Sequence, residues 1–358
     1  MSTVLPKGQD LLRMNPVEGA HRVALRAGIS VALPLALVIA LGRPEWAPYA
    51  SFGAFTSLYG RSQPHLVRLQ MQLSAAACMV TAVVTGVVVS LLPGGDWLLV
   101  AAGVAIGATG EYFAKAHSYH PPGPLFMIFA FGTVFSMPHT ASDIAISALV
   151  ASLSAAFSVL VGVVGVLRDP RGWRTAVREA QPLRLVFSRS RKPLWIALAV
   201  LVSGSIAVLL GIGHPYWAMV AAVAPMSVPH VTQQVERGVH RVLGTTAGLL
   251  TSWALLSLHL ARPWAVAVVA VLQFAAEMLV GRNYGVAMLA ITPLALMMGQ
   301  LVQPRPVGLL LFDRGVETAI GAVVGIALVL LGHWLRERRK ARVAEKLREL
   351  ELSRGGKV

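Results

Sequence analysis

The strongest constraint in this sequence is a series of long apolar stretches separated by short connections that hold most of the charge. A membrane-crossing helix needs about 20 mostly apolar residues, within a range of roughly 17–25. Candidate spans of that kind fall at 23–41, 46–60, 70–92, 96–113, 124–138 and 143–167. A second set follows at 194–212, 216–230, 241–260, 263–281, 284–302 and 308–334. Pro- and Gly-rich turns separate them, as at Gly42-Arg43-Pro44, Pro93-Gly94-Gly95, Pro121-Pro122-Gly123-Pro124 and Gly213-His214-Pro215. Only 13% of the 358 residues are charged, whereas a soluble domain carries about 25%. That is too little charge to cover a water-exposed surface. The expected fold is an all-α polytopic membrane protein of about twelve transmembrane helices.

The net charge of +15 would suit a nucleic-acid binder if it were gathered on a soluble surface. Here it lies between apolar runs, where cytoplasmic loops of membrane proteins collect Lys and Arg. With twelve spans and a cytoplasmic N-terminus, 27 of the 31 basic residues lie on the cytoplasmic side, leaving Arg43, Arg262, Arg305 and Arg314. If the short second span only dipped and returned, the eight basic residues of the central loop would face outward, against that rule. Both termini are therefore expected in the cytoplasm of a bacterial cell, with the chain a multi-pass protein of the cytoplasmic (inner) membrane. The polar first twenty residues lack the apolar core of a cleavable signal, so the first span is expected to target the chain. The single cysteine, Cys78, excludes an intramolecular disulfide.

The chain divides into a segment 1–21, a six-helix unit 22–167, a basic loop 168–193, a second six-helix unit 194–334 and a basic tail 335–358. The units correspond weakly. Pro44-Glu45-Trp46-Ala47 opens the second span and Pro215-Tyr216-Trp217-Ala218 the eighth, while Glu111 and Glu277 sit near the ends of matching spans. An even number of spans per unit implies a parallel repeat about an axis along the membrane normal. Spans two and eight are short, and the eighth carries Pro225 and Pro229. Interrupted segments at corresponding places point to a binding site, because their freed backbone groups need protein or a cavity. Trp46 and Trp217 are candidate interface anchors.

Arg241-Val242-Leu243-Gly244-Thr245-Thr246-Ala247-Gly248 resembles the R-x-x-G-T-x-x-G signature of the fusaric acid resistance protein-like family, related to aromatic acid exporters. Arg314 to Gly321 resembles the start of that family's last helix, and the resemblance extends over about residues 20–334. In the first unit Gln70, Leu73, Ser74 and Ala77 take the corresponding places, so the signature is degenerate there. Long members carry large cytoplasmic domains, for which the 26-residue central loop has no room. The resemblance implies an exporter of small organic or aromatic acids, working as a secondary transporter. A non-transporting membrane scaffold for envelope machinery is the competing class.

Ionisable residues at membrane depth carry the functional expectation, since each costs about 2.5–3.5 kcal/mol near a helix centre. Asp313 and Glu317 lie one turn apart with Arg314 within pairing reach, forming either a neutralised cluster or a protonatable, substrate-facing site at Glu317. Glu111 is expected to pair with Lys115, and Glu277 with Arg282 or water. Arg241 is a topology charge or a contact for an anionic substrate. Gly244/Gly248, Gly103/Gly107 and Gly321/Gly325 are spaced for close helix packing. The sequence has no Walker A, no G-x-S-x-G and no metal-ligand spacing, so neither catalysis nor a metal or other cofactor is expected. The expected partners are the lipid bilayer and a small-molecule anion, with no nucleic acid; a homo-oligomer is compatible with the sequence.

Overall fold

The computed structural model describes residues 6, 8–61, 63–167 and 190–355, so most of the basic central loop lies outside the described residues. After a single turn at Gly8–Leu11, twelve helices of eight residues or more follow among the described residues. They are α1 (Ala20–Ala40), α2 (Ala47–Ala54), α3 (His65–Ser90), α4 (Gly95–Ala116), α5 (Leu125–Phe135) and α6 (Ser142–Leu167). Then come α7 (Lys192–Leu209), α8 (Pro215–Val223), α9 (Val231–Ser257), α10 (Arg262–Val280), α11 (Tyr284–Val302) and α12 (Val307–Gly355).

Eight of these are long and apolar enough to cross a bilayer: α1, α3, α4, α6, α7, α10, α11 and α12. The protein is therefore a multi-pass integral membrane protein. Along α6 its outward face carries Leu149, Leu153 and Leu160, each about 60% exposed, a surface that suits lipid rather than water. At four of the twelve expected spans the helix is shorter or more polar than in the other eight. Stretches 46–60, 124–138 and 216–230 contain helices of only eight, eleven and nine residues. Helix α9 is long, but Gln233, Gln234, Glu236, Arg237, His240 and Arg241 make its first half polar.

Local chemistry explains the short helices. Helices α1 and α7 both stop at a glycine in the left-handed region, Gly42 (φ 70°) and Gly211 (φ 67°). Gly42 N–H bonds Ile39 O and Arg43 N–H bonds Val38 O; Gly211 N–H bonds Val208 O and Ile212 N–H bonds Ala207 O. Both ends thus show the paired bonds of a Schellman stop. Proline follows in the first turn of the next helical element, Pro44 and Pro215, where its missing N–H costs nothing. Each short helix then tightens into a 3-10 turn, Phe55–Leu58 after α2 and Ala224–Ser227 after α8, before extended residues Tyr59 and Val228.

Packing runs between the two segments of chain as much as within them. Helix α1 packs on α10, and α7 on α4. Helix α2 lies along α6, and α8 along α12. The closest approaches use small residues: a Cβ on Gly321 or Gly325 would strike the backbone of Ala218 or Ala222 in α8. Against α2, Ser154 and Ser158 of α6 donate their hydroxyls to Ala50 O and Ala54 O.

Candidate functional site

The site begins at the starts of α2 and α8. Pro215 opens α8 so that His214, Tyr216 and Trp217 project together. The ring of His214 stacks on Trp217 at 4.4 Å, and Tyr216 meets Phe129 of α5 at 6.2 Å. Gly132 leaves the room this needs, since a Cβ there would collide with Tyr216. A narrow, partly open cleft, with room of about 60 Å³ for water-sized groups, lies against these rings. Its lining comes from both segments: Ala47, Pro48 and Phe52 of α2, Phe129 and Thr133 of α5, then His214, Tyr216, Trp217, Gln300 and Arg305.

Behind this floor sit the acids and the arginine of α12. Glu317 is fully buried, and its Oε1 accepts the backbone N–H of His214 at 2.7 Å. Asp313 Oδ2 stands 3.6 Å from His214 Nδ1, too far for a hydrogen bond. Arg314 is 2% exposed, with its guanidinium 4.9 Å from the Trp217 ring centre. Of the two readings of Asp313, Arg314 and Glu317, the paired cluster lacks its ion pair: among the described residues Arg314 makes none within 4.0 Å. The helical turn brings Arg314 near Glu317 in sequence, but its side chain turns to the aromatic ring. His214 lies in the connection between α7 and α8, where burial, with Arg305 and Arg314 nearby, pulls its imidazole down to about 4.

Deeper in the bundle, α9 supplies two more guanidinium groups. Arg241 is 3% exposed and donates from Nη1 to the Tyr284 hydroxyl at 2.8 Å. Arg237, one turn earlier, places its guanidinium 4.0 Å from the Tyr284 ring centre. Arg241 owes its position to Gly244 and Gly248, which press α9 against Gly285, Met288 and Thr292 of α11.

The matching glutamates lie at the opposite end of the bundle from the cleft. Glu111 forms an ion pair with Lys192 at 2.9 Å, and Glu277 one with Arg61 at 2.9 Å. These replace the expected Glu111–Lys115 and Glu277–Arg282 pairs. Helix α4 packs on α7 and α10 on α1, so each glutamate meets a cation from the other segment before one on its own. Trp217 is 3% exposed and enclosed by protein, which corrects its reading as an interface anchor; Trp46 is half-buried, with Arg43 5.4 Å over its ring. His214, Arg237, Tyr284, Arg61 and Lys192 were not singled out as site residues. Arg237 was legible, because it stands four residues before Arg241 on one helical face. The partners Lys192 and Arg61 had no local signal.

Among known proteins, residues 191–328 match the profile of the fusaric acid resistance protein-like family, in line with the resemblance read from Arg241–Gly248 and Arg314–Gly321. The matched segment is narrower than the 20–334 read from the sequence. An uncharacterized membrane protein, YvaC, of Bacillus subtilis (strain 168) is 28% identical over 149 residues. That stretch is 41% of this chain but 23% of the relative, so the chain spans about a quarter of that protein's length. No solved structure matches this chain.

Proposed function

We propose that this protein is a secondary transporter that exports small organic acids, aromatic ones included, across a bacterial cytoplasmic membrane. The observation that carries the reading is the cleft between α2 and α5 on one side and α8 and α11 on the other, floored by His214 and Trp217 and backed by buried Glu317 and Arg314. Membrane-buried ionisable groups are costly and tend to mark substrate or ion pathways. The family match at 191–328 supports the same class.

In this reading 22–167 and 194–334 are two copies of a six-helix unit. Supporting it are the paired Schellman stops, the paired 3-10 turns, and packing that exchanges α1 and α7 between α10 and α4. Helix α8 with its 3-10 turn extends about 21 Å, from about 1.5 Å per helical and 2.0 Å per 3-10 residue. That is short of a 30 Å core, so α2 and α8 cross only where neighbours shield them and their extended tails complete the passage. Both termini then lie in the cytoplasm, the cleft opens outward, and Glu111–Lys192 and Glu277–Arg61 close the cytoplasmic end. Alternating access consists in breaking those two pairs while the cleft closes.

An ion gradient, most simply of protons, drives the cycle, with Glu317 as the group that exchanges the proton. Purified protein in proteoliposomes should move a labelled aromatic acid in response to an imposed pH gradient, and Glu317→Gln should abolish the coupling. Movement indifferent to both the gradient and the substitution would overturn the proposal.

A further inference from the structure

Three guanidinium groups, Arg237 and Arg241 on α9 and Arg314 on α12, lie inside the helix bundle without a carboxylate partner among the described residues. Each leaves its Nε unpartnered. Arg241 and Arg314 are 3% and 2% exposed and close enough for their charges to interact, with Tyr284 in range of both. The nearest acid, Glu317, already gives Oε1 to the backbone of His214. Arginine does not shed its proton in proteins, so neutralisation by deprotonation is closed to these groups. Buried charge without a partner is strongly unfavourable. Glu317 lies within charge range of Arg314, but among the described residues no carboxylate stands within ion-pair distance of any of the three.

The same helices offer donors suited to one. Thr245 stands one turn after Arg241, and Thr318 one turn after Arg314; they are 2% and 1% exposed, and neither Oγ1 has a hydrogen-bond partner. Buried hydroxyls are normally paired, so two orphaned ones, each a helical turn from a guanidinium that has no carboxylate partner, mark a place for a ligand or ordered water. The aromatic walls are Trp217, against Arg314, and Tyr284, bonded to Arg241.

We propose that Arg241 and Arg314, with the Thr245 and Thr318 hydroxyls, form a buried binding site for a single small carboxylate. A guanidinium presents parallel N–H groups that match the two oxygens of a carboxylate. The ligand reaches the site from the cleft by displacing Trp217, whose ring lines the cleft while Arg314 behind it does not. The site rests on the transport reading for its physiological role, and on binding alone for its test.

Isothermal titration of the full chain in uncharged detergent with benzoate and with neutral benzamide separates charge recognition from shape. Benzoate should bind at least about ten-fold more tightly than benzamide. Arg314→Gln and Arg241→Gln should each weaken benzoate at least about ten-fold, and Arg314→Gln should raise the melting temperature of the unliganded protein, because it removes an uncompensated charge. Thr318→Val, nearly isosteric, should weaken benzoate about three- to ten-fold with an unchanged elution profile, which keeps the test open should an arginine variant misfold. Equal binding of the two ligands, no benzoate binding in the millimolar range, or undiminished binding by a folded Arg314→Gln or Thr318→Val protein would each overturn the site. Benzoate that binds as expected but does not cross proteoliposomes would instead overturn transport and leave the site standing.

Discussion

The backbone N–H of His214 and the carboxylate of Glu317, 103 residues apart, are joined by a 2.7 Å hydrogen bond that fixes the start of α8 against the first third of α12. Glu317 is fully buried, so this bond and the charge it carries can be separated by substitution. Glu317→Gln retains an acceptor for His214 and should change thermal stability little. Glu317→Leu leaves a buried N–H unsatisfied and should cost about 1–3 kcal/mol. Melting of both variants in detergent checks the difference; equal losses would show that the bond contributes nothing.

The two ion pairs at the other end of the bundle should differ in strength. Glu277 and Arg61 have side chains 6% and 22% exposed, while Lys192, the partner of Glu111, is 35% exposed. Breaking the more enclosed pair with Glu277→Gln should cost about 3 kcal/mol. Glu111→Gln should cost about 1 kcal/mol, since water screens the lysine. A double-mutant cycle of Arg61→Gln with Glu277→Gln reads the coupling directly.

The contact of α8 with α12 depends on the missing side chain at Gly321. Alanine there meets the carbonyl of Ala218 and the Cβ of Ala221, so it must push the helices apart. Gly321→Ala should destabilise by about 1–3 kcal/mol. Gly308, also in α12, has nothing within 4 Å of an added Cβ, and Gly308→Ala should be neutral or stabilise by up to about 1 kcal/mol. Paired melting curves decide it.

The imidazole of His214 is held at about 4 in the folded protein against 6.5 for a free histidine. The unfolded chain therefore binds a proton first as pH falls, and stability present above pH 6.5 drains away between 6.5 and about 4. His214→Phe preserves a ring against Trp217 and removes the titration. Its stability should fall less steeply than that of the parent protein across this window. Parallel slopes would mean that other groups govern the acid limb.

Apolar run length and charge placement were enough to read a multi-pass helical membrane protein, because each span is defined by its own residues and the solvent it faces. The turn signals were equally local, so Gly42-Arg43-Pro44 and Gly211 to Pro215 end and restart helices in the structure as their side chains dictate. The same locality overstated α5, an eleven-residue helix within the expected span 124–138, and left α2 and α8 longer than they are. Hydropathy registers that a stretch is apolar but not that a 3-10 turn cuts α2 and α8 to eight and nine residues.

For the candidate site, the sequence alone singled out the charges expected at membrane depth, Asp313, Arg314 and Glu317 with Glu111 and Glu277, and Arg241 as a topology charge or substrate contact. Only the tertiary structure decided what each one meets. Glu111 takes Lys192, Glu277 takes Arg61, and Arg314 faces Trp217, because α1 packs on α10, α7 on α4 and α8 on α12. Helical periodicity sets neighbours within one turn of a residue. Contacts between segments a hundred residues apart depend on how closely small residues such as Gly321 and Gly325 let two helices approach, and no single stretch of sequence carries that distance.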